Sequence, residues 1–270
     1  MTGTKVGAVA LSVFRESVRD RVFYNLLLFA ALLVGASVLV GQMTAGQDIK
    51  IIKDLGLAAT SLFGLFIAVF IGIGLVWKEL ERRSVYSLLA KPLRRTELIL
   101  GKYLGLAFTL LVNVAIMAAV LYLVLAWMWW TSPENLRAAW EAPATDPALL
   151  VAFLLIYVQL LLVMAIALFF STFSSPMLSA ALTFGLYVIG HFNADLKNFE
   201  TVVQSAPLVW LLRGLYYLLP NLAPFDVAAR VVHGQAVSPG YVVMTIGYAV
   251  VYIAFLLAAG AHIFARRDFK

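Results

Sequence analysis

Few residues of this chain are equipped for covalent or metal chemistry, and their spacing argues against most of it. Cysteine is absent, so there is no disulfide framework, thiolate ligand or cysteine nucleophile. His191, His233 and His262 stand apart from one another and from carboxylates at ligand spacing, and no H-E-x-x-H occurs. The serines come without a His-Asp pattern that would suggest a nucleophilic triad. The seven methionines are scattered rather than paired as a soft-metal path. Gly101-Lys102 is followed by Tyr103 and lacks the glycine-rich loop of a phosphate cradle, so no G-x-x-x-x-G-K-[ST] is present. The expectation is a chain that is not an enzyme and binds no metal or cofactor of its own.

The elements that must hold these residues are set by composition. Hydrophobic residues make up 63% and charged residues 13% of the 270 positions, against about 45–50% and about 25% in a soluble domain. Residues 22–47, 55–77, 103–133, 147–194 and 231–265 contain no Asp, Glu, Lys or Arg. A hydrocarbon core about 30 Å thick takes about 20 helical residues. Residues 147–194 would make a helix of roughly 72 Å. Ser171-Thr172-Phe173-Ser174-Ser175-Pro176 breaks that run with turn formers and a helix-starting proline. Six transmembrane helices result, at Val22–Gly41, Leu57–Trp77, Tyr103–Trp130, Ala148–Phe170, Met177–Phe192 and Tyr241–Phe264. Continuous apolar runs favour helices over the alternating strands of a barrel.

Basic residues orient the bundle. Lys5, Arg15, Arg19 and Arg21, the run Lys78–Lys102, and the tail Arg266, Arg267 and Lys270 fall on one side. Only Lys50, Lys53, Arg137, Lys197, Arg213 and Arg230 fall on the other. Both termini are therefore expected in the cytoplasm. The net charge of +6 reads as topological flanking rather than a nucleic-acid surface. Trp127, Trp129 and Trp130 fit an aromatic belt at the outer end of the third span. Charges at Arg15, Glu16, Arg19, Asp20 and Arg21 interrupt any signal-peptide core. Residues 5–21 have the helical spacing of an amphipathic helix lying in the cytoplasmic interface. The external segment 194–240 contains Pro207–Pro220, too short and too interrupted to cross, which suggests re-entrant or interfacial helices.

The stretch KELERRSVYSLLAKPLRRTELILGK (78–102) carries more than a topological loop needs. Good helix formers run from Glu79 to Ala90 with acidic residues first, as the helix dipole favours, and Lys91-Pro92 ends the run. Val85, Leu88 and Leu89 make an apolar patch on this charged element, which suits a cytoplasmic protein partner or this chain's own helix ends. Asn113 and Gln159 are the conspicuous mid-span amides and read as interhelical hydrogen-bonding groups. Gly101-x-x-x-Gly105 permits a close helix approach, a weak signal for a dimer seam.

Glu79-x-Glu81, Leu88-Leu89, Pro92, Arg95 and Gly101-Lys102 together resemble the cytoplasmic signature of type-2 ABC transporter permeases. The serine turn at 171–175, Leu219-Pro220-Asn221-Leu222 and the Arg266-Arg267-Asp268-Phe269 ending fit the same family. Where members often have Gly-Thr after the acidic pair, this chain has Arg83-Ser84. The resemblance implies one permease domain, 1–270, in a bacterial or archaeal plasma membrane, exporting a substrate that is unknown. It implies a second copy or paralogue and separate ATPase subunits that bind the ATP and Mg. Glu79, Glu81, Val85, Leu88, Leu89 and Pro92 would couple this chain to them, and part of Leu208–Leu219 would be the re-entrant element. Because the spans lack Asp, Glu, Lys and Arg, an ion-coupled secondary carrier fits less well. A membrane scaffold or embedded enzyme is the other alternative.

Overall fold

A computed structural model describes residues 48–81, 95–138, 140, 142–192 and 219–266, together with 7, 9–14, 36, 39, 214 and 216. The described residues form helices and turns without strands. In chain order the helices are α1 (Asp48–Glu81), α2 (Arg95–Thr131), the short α3 (Glu134–Ala138), α4 (Ala148–Ser171), α5 (Pro176–His191), a 3-10 turn at Ala223–Phe225, α6 (Ala228–Val232) and α7 (Pro239–Arg266). Four are long and apolar enough to cross a membrane: Ile49–Gly74 of α1, Ile99–Thr131 of α2, all of α4, and Pro239–Ile263 of α7. At 16 residues, roughly 24 Å, α5 is shorter than those four. The expected span Val22–Gly41 lies outside the described residues except Ala36 and Leu39, both helical.

Charge-free runs mark the apolar stretch of a helix and not its ends. Expected at Leu57–Trp77, α1 instead extends outward at both ends to Asp48 and Glu81, because Asp48–Gly56 and Lys78–Glu81 are compatible with helix. Likewise α2 begins at Arg95, before Tyr103. The 78–102 segment is thus helical at both ends, and residues 82–94 lie outside the described residues. The expected span Leu57–Trp77 contains no Asp, Glu, Lys or Arg, whereas the Ile49–Gly74 stretch begins earlier and takes in Lys50, Lys53 and Asp54.

At the centre of the bundle lies α4, apolar on every face and 72% buried over its apolar window. A helix hydrophobic all round belongs in the interior, and α4 packs against α1, α2, α5 and α7. Small residues let the backbones approach. Gly64 of α1 faces Leu160, Gly72 faces Ala167, and Gly56 faces Leu121 of α2. Two tyrosines tie α2 to α4 in both directions. Tyr103 Oη donates to the Leu161 carbonyl at 3.0 Å, and Tyr157 Oη donates to the Ala107 carbonyl at 3.2 Å. The outward faces stay apolar, as with Leu55, Phe66 and Phe70 of α1 and Val243, Met244, Val251 and Phe255 of α7. Such faces suit a hydrocarbon solvent.

The turn between α4 and α5 forms as its serines and proline dictate. Ser175 caps α5 by accepting from Leu178 N–H, and Pro176 takes the first helical position. Ser174 Oγ meets Ser179 Oγ at 2.6 Å. Ser179 is fully buried, so this contact keeps its hydroxyl from lying unpaired in the bundle.

Described residues Val9–Phe14 are helical and pack on α2. Val13 is buried, and Phe14 meets Phe108 edge-on with centroids 4.6 Å apart. A Cβ on Gly105 would lie 2.6 Å from the Ala10 carbonyl oxygen and 2.8 Å from Val13 Cβ. The close approach expected of Gly101-x-x-x-Gly105 is therefore made at Gly105 by this chain's own N-terminal helix. Replacing Gly105 by Leu should destabilise this contact by about 1–3 kcal/mol. Amide exchange of residues 9–14 should accelerate, and unchanged exchange would show that another contact holds the helix.

Candidate functional site

Glu79 and Glu81 occupy the last turn of α1 rather than the start of a separate helix. They therefore sit at the negative end of a helix dipole, opposite to the arrangement expected from the sequence. Val85, Leu88, Leu89 and Pro92 lie outside the described residues. What the structure adds is α1 itself: 34 residues without a break, roughly 51 Å.

At the Asp48 end of α1, four segments enclose a cavity of about 330 Å³. From α1 come Asp54, Leu57, Ala58, Ser61 and Leu62; from α4 come Ala152, Ile156 and Gln159; Tyr187 and His191 come from α5. Residues 225–228 close the remaining side. Steps of three and four residues place each helical set on one face.

Polar groups lining the cavity are held in place by hydrogen bonds. Tyr187 Oη lies 3.3 Å from Ser61 Oγ, joining α5 to α1. His191 Nδ1 lies 2.9 Å from the Tyr187 carbonyl, and its Nε2 lies 3.0 Å from Gln159 Nε2. A carbonyl oxygen only accepts, so Nδ1 carries the proton of that bond; in the neutral ring Nε2 then accepts from the Gln159 amide. The Tyr187 and His191 rings are 4.4 Å apart between centroids.

The closing segment is anchored from two helices. Leu222 N–H donates to the Gly190 carbonyl at 2.9 Å, and Asn221 N–H donates to Tyr248 Oη at 2.8 Å. Tyr241 Oη donates to the Pro224 carbonyl at 2.7 Å. At Gly190 a Cβ would lie 2.8 Å from the Pro220 carbonyl oxygen, so the close contact requires glycine. Asp226 accepts from Ala228 N–H at 3.2 Å ahead of α6. In this way Leu219-Pro220-Asn221-Leu222 serves as the base that presents Phe225 and Asp226.

Beside the cavity, Lys53 is fully buried and donates to the Pro143 carbonyl at 2.7 Å. It ties α1 to the segment between α3 and α4. Arg137 closes the end of α2, donating to the Ser132 carbonyl at 2.8 Å with its guanidinium 4.6 Å from the Trp129 ring centre. Trp127, Trp129 and Trp130 are exposed, as an interfacial belt requires.

The two mid-span amides behave differently. Gln159 bonds between helices, as expected, whereas Asn113 Nδ2 donates to the Thr109 carbonyl of its own helix at 2.6 Å. Asn113 Oδ1 is buried without a partner. His262 is exposed on α7 and His233 is exposed just after α6. Among the described residues, no group of three His or carboxylate side chains could hold a metal.

Asp54, Ser61, Tyr187 and Asp226 were not singled out by the sequence. They come from three segments far apart in the chain; the spacings Asp54–Ser61 and Tyr187-x-x-x-His191 each place two groups on one helix face, but no spacing links one segment to another.

Four helices long and apolar enough to cross a membrane, with apolar outward faces, define a multi-pass membrane protein. The family model described as ABC-2 family transporter protein matches residues 8–269, and the chain belongs to that family. It is accordingly a multi-pass membrane permease component of an ABC transporter, with ATPase subunits as partners rather than an ATPase of its own. No curated protein matches the chain.

Proposed function

We propose that the chain is the permease half of an ATP-driven exporter with six spans and cytoplasmic termini. It works as a dimer with a second copy or a paralogue, in a bacterial or archaeal plasma membrane. Separate ATPase subunits dock on the stretch from Glu79 to Pro92. Val85, Leu88 and Leu89 fill an apolar groove on the ATPase, while Glu79 and Glu81 set the position of the segment. This chain binds no nucleotide; its partners bind the ATP and Mg.

One observation carries this reading. The unbroken α1 joins the proposed docking stretch at Glu81 to the cavity lined by Asp54 and Ser61 at its other end. Along its length it packs closely on α4 at Gly64 and Gly72. A push on the docking stretch is therefore delivered to the outer cavity by one rigid element. The placement of cations at the Glu81 end supports the cytoplasmic assignment, and the family resemblance supports export. Lys53, although buried in α1, bonds a backbone carbonyl and so supports a structural role rather than ion coupling.

Purification of the intact protein in mild detergent tests the assignment. A P-loop ATPase should co-purify, and the chain stripped of it should hydrolyse no ATP. Hydrolysis by the stripped chain, or an ion gradient driving uphill transport without the ATPase, would overturn the proposal.

A further inference from the structure

We infer that the cavity between α1, α4 and α5 binds a small organic cation, an amine carrying a short apolar body. Its volume of about 330 Å³ lies at the small end of the ligand-site range, about 300–1,000 Å³. Its charged lining residues are both acidic: Asp54 from α1 and Asp226 ahead of α6, each exposed. The nearby Lys53 is turned to the Pro143 carbonyl.

A second observation is independent of the carboxylates. Gln159 is only 2% exposed and lines the cavity. Its Nε2 is committed to His191, and its Oε1 has no partner among the described residues. Unlike Asn113 Oδ1, this oxygen is not sealed off in the bundle; it belongs to a residue lining the cavity, where an ammonium N–H can donate to it. Tyr187 and Phe225 supply aromatic faces for a cation, and Leu57, Ile156 and Val227 supply apolar wall. A bare metal ion fits less well, because no metal-ligating group of three is present among the described residues.

The same chemistry is offered by a free amine solute and by the ethanolamine headgroup of a lipid. The inference depends on the permease reading only for placing the cavity at the outer surface. Binding needs no ATPase, so a failure here leaves that reading standing.

The test uses the full chain in phosphatidylglycerol nanodiscs, with empty nanodiscs subtracted, and calorimetric titration of 2-phenylethylamine. Saturable binding is expected, with the neutral isostere 2-phenylethanol at least tenfold weaker. Asp54→Asn combined with Asp226→Asn should weaken the amine at least tenfold. Asparagine retains the capping acceptor at 226, so the fold is kept, and Gln159→Leu should weaken the amine separately. Repeating the titration with phosphatidylethanolamine in the nanodisc separates the sources. Competition by the lipid assigns a headgroup site, and unchanged affinity assigns a free solute. Absence of saturable amine binding, equal binding of the alcohol, or full affinity in the double variant would overturn the inference.

Discussion

Replacing Leu88 and Leu89 together by aspartate should strip the ATPase from the complex while leaving the permease inserted. Two apolar anchors in a protein groove contribute about 2 kcal/mol or more each when they are hot spots. Burying carboxylates in their place adds a desolvation penalty. With 1.4 kcal/mol per tenfold, association should weaken by about a thousandfold or more. Co-purification from membranes measures it, with total permease in the membrane fraction as the control. The pair lies outside the apolar runs, so the substitution does not alter the insertion signal. Retention of the ATPase at wild-type levels would place the docking surface elsewhere.

The second large effect concerns transmission rather than docking. Ile71 lies on α1 between the cavity and Glu81 and is half-buried. Proline at this position removes the hydrogen bond from its N–H to the Ile67 carbonyl and kinks the helix, at about 3 kcal/mol in a helix interior. Membrane helices tolerate such kinks when neighbours re-satisfy the backbone, so insertion should survive. The Ile71→Pro complex should keep its ATPase and its basal hydrolysis but lose the motion at the cavity. With no native cysteine, spin labels at Leu62→Cys and Val188→Cys report on the cavity side alone; both positions are half exposed. ATP should change their separation in the otherwise unmodified complex and not in the proline variant. An equal change in both would show that α1 is not the lever.

Much of this architecture was legible because lipid imposes a severe rule on sequence. Four apolar runs became helices close to their expected places, and Ser171–Pro176 formed a turn with Ser175 as cap. Helix ends were less legible. Charges at Asp48–Asp54 and Lys78–Glu81 mark the limits of the hydrocarbon, but neither stops a helix, so α1 continues through both. The role of Gly105 was half legible: small residues announce a close approach without naming the partner, which is the N-terminal helix of the same chain. The cavity was hardly legible. Asp54, Gln159, His191 and Asp226 gain meaning only when α1, α4, α5 and the Pro220–Asp226 segment converge, and helical periodicity relates residues within one helix, not across several. Gln159 was recognisable as an interhelical amide, but its unshared oxygen depends on the His191 tautomer fixed by the Tyr187 carbonyl.

Cross-linking from a single cysteine tests the division of labour most directly, since the chain supplies no other thiol. With Leu88→Cys bearing a short photoreactive group in native membranes, the expected product contains a P-loop ATPase subunit. The same group on Trp130→Cys should give none. An ATPase captured from Trp130, or no ATPase captured from Leu88 in a correctly inserted protein, would contradict a gate worked from the Glu81 side by another subunit's nucleotide cycle.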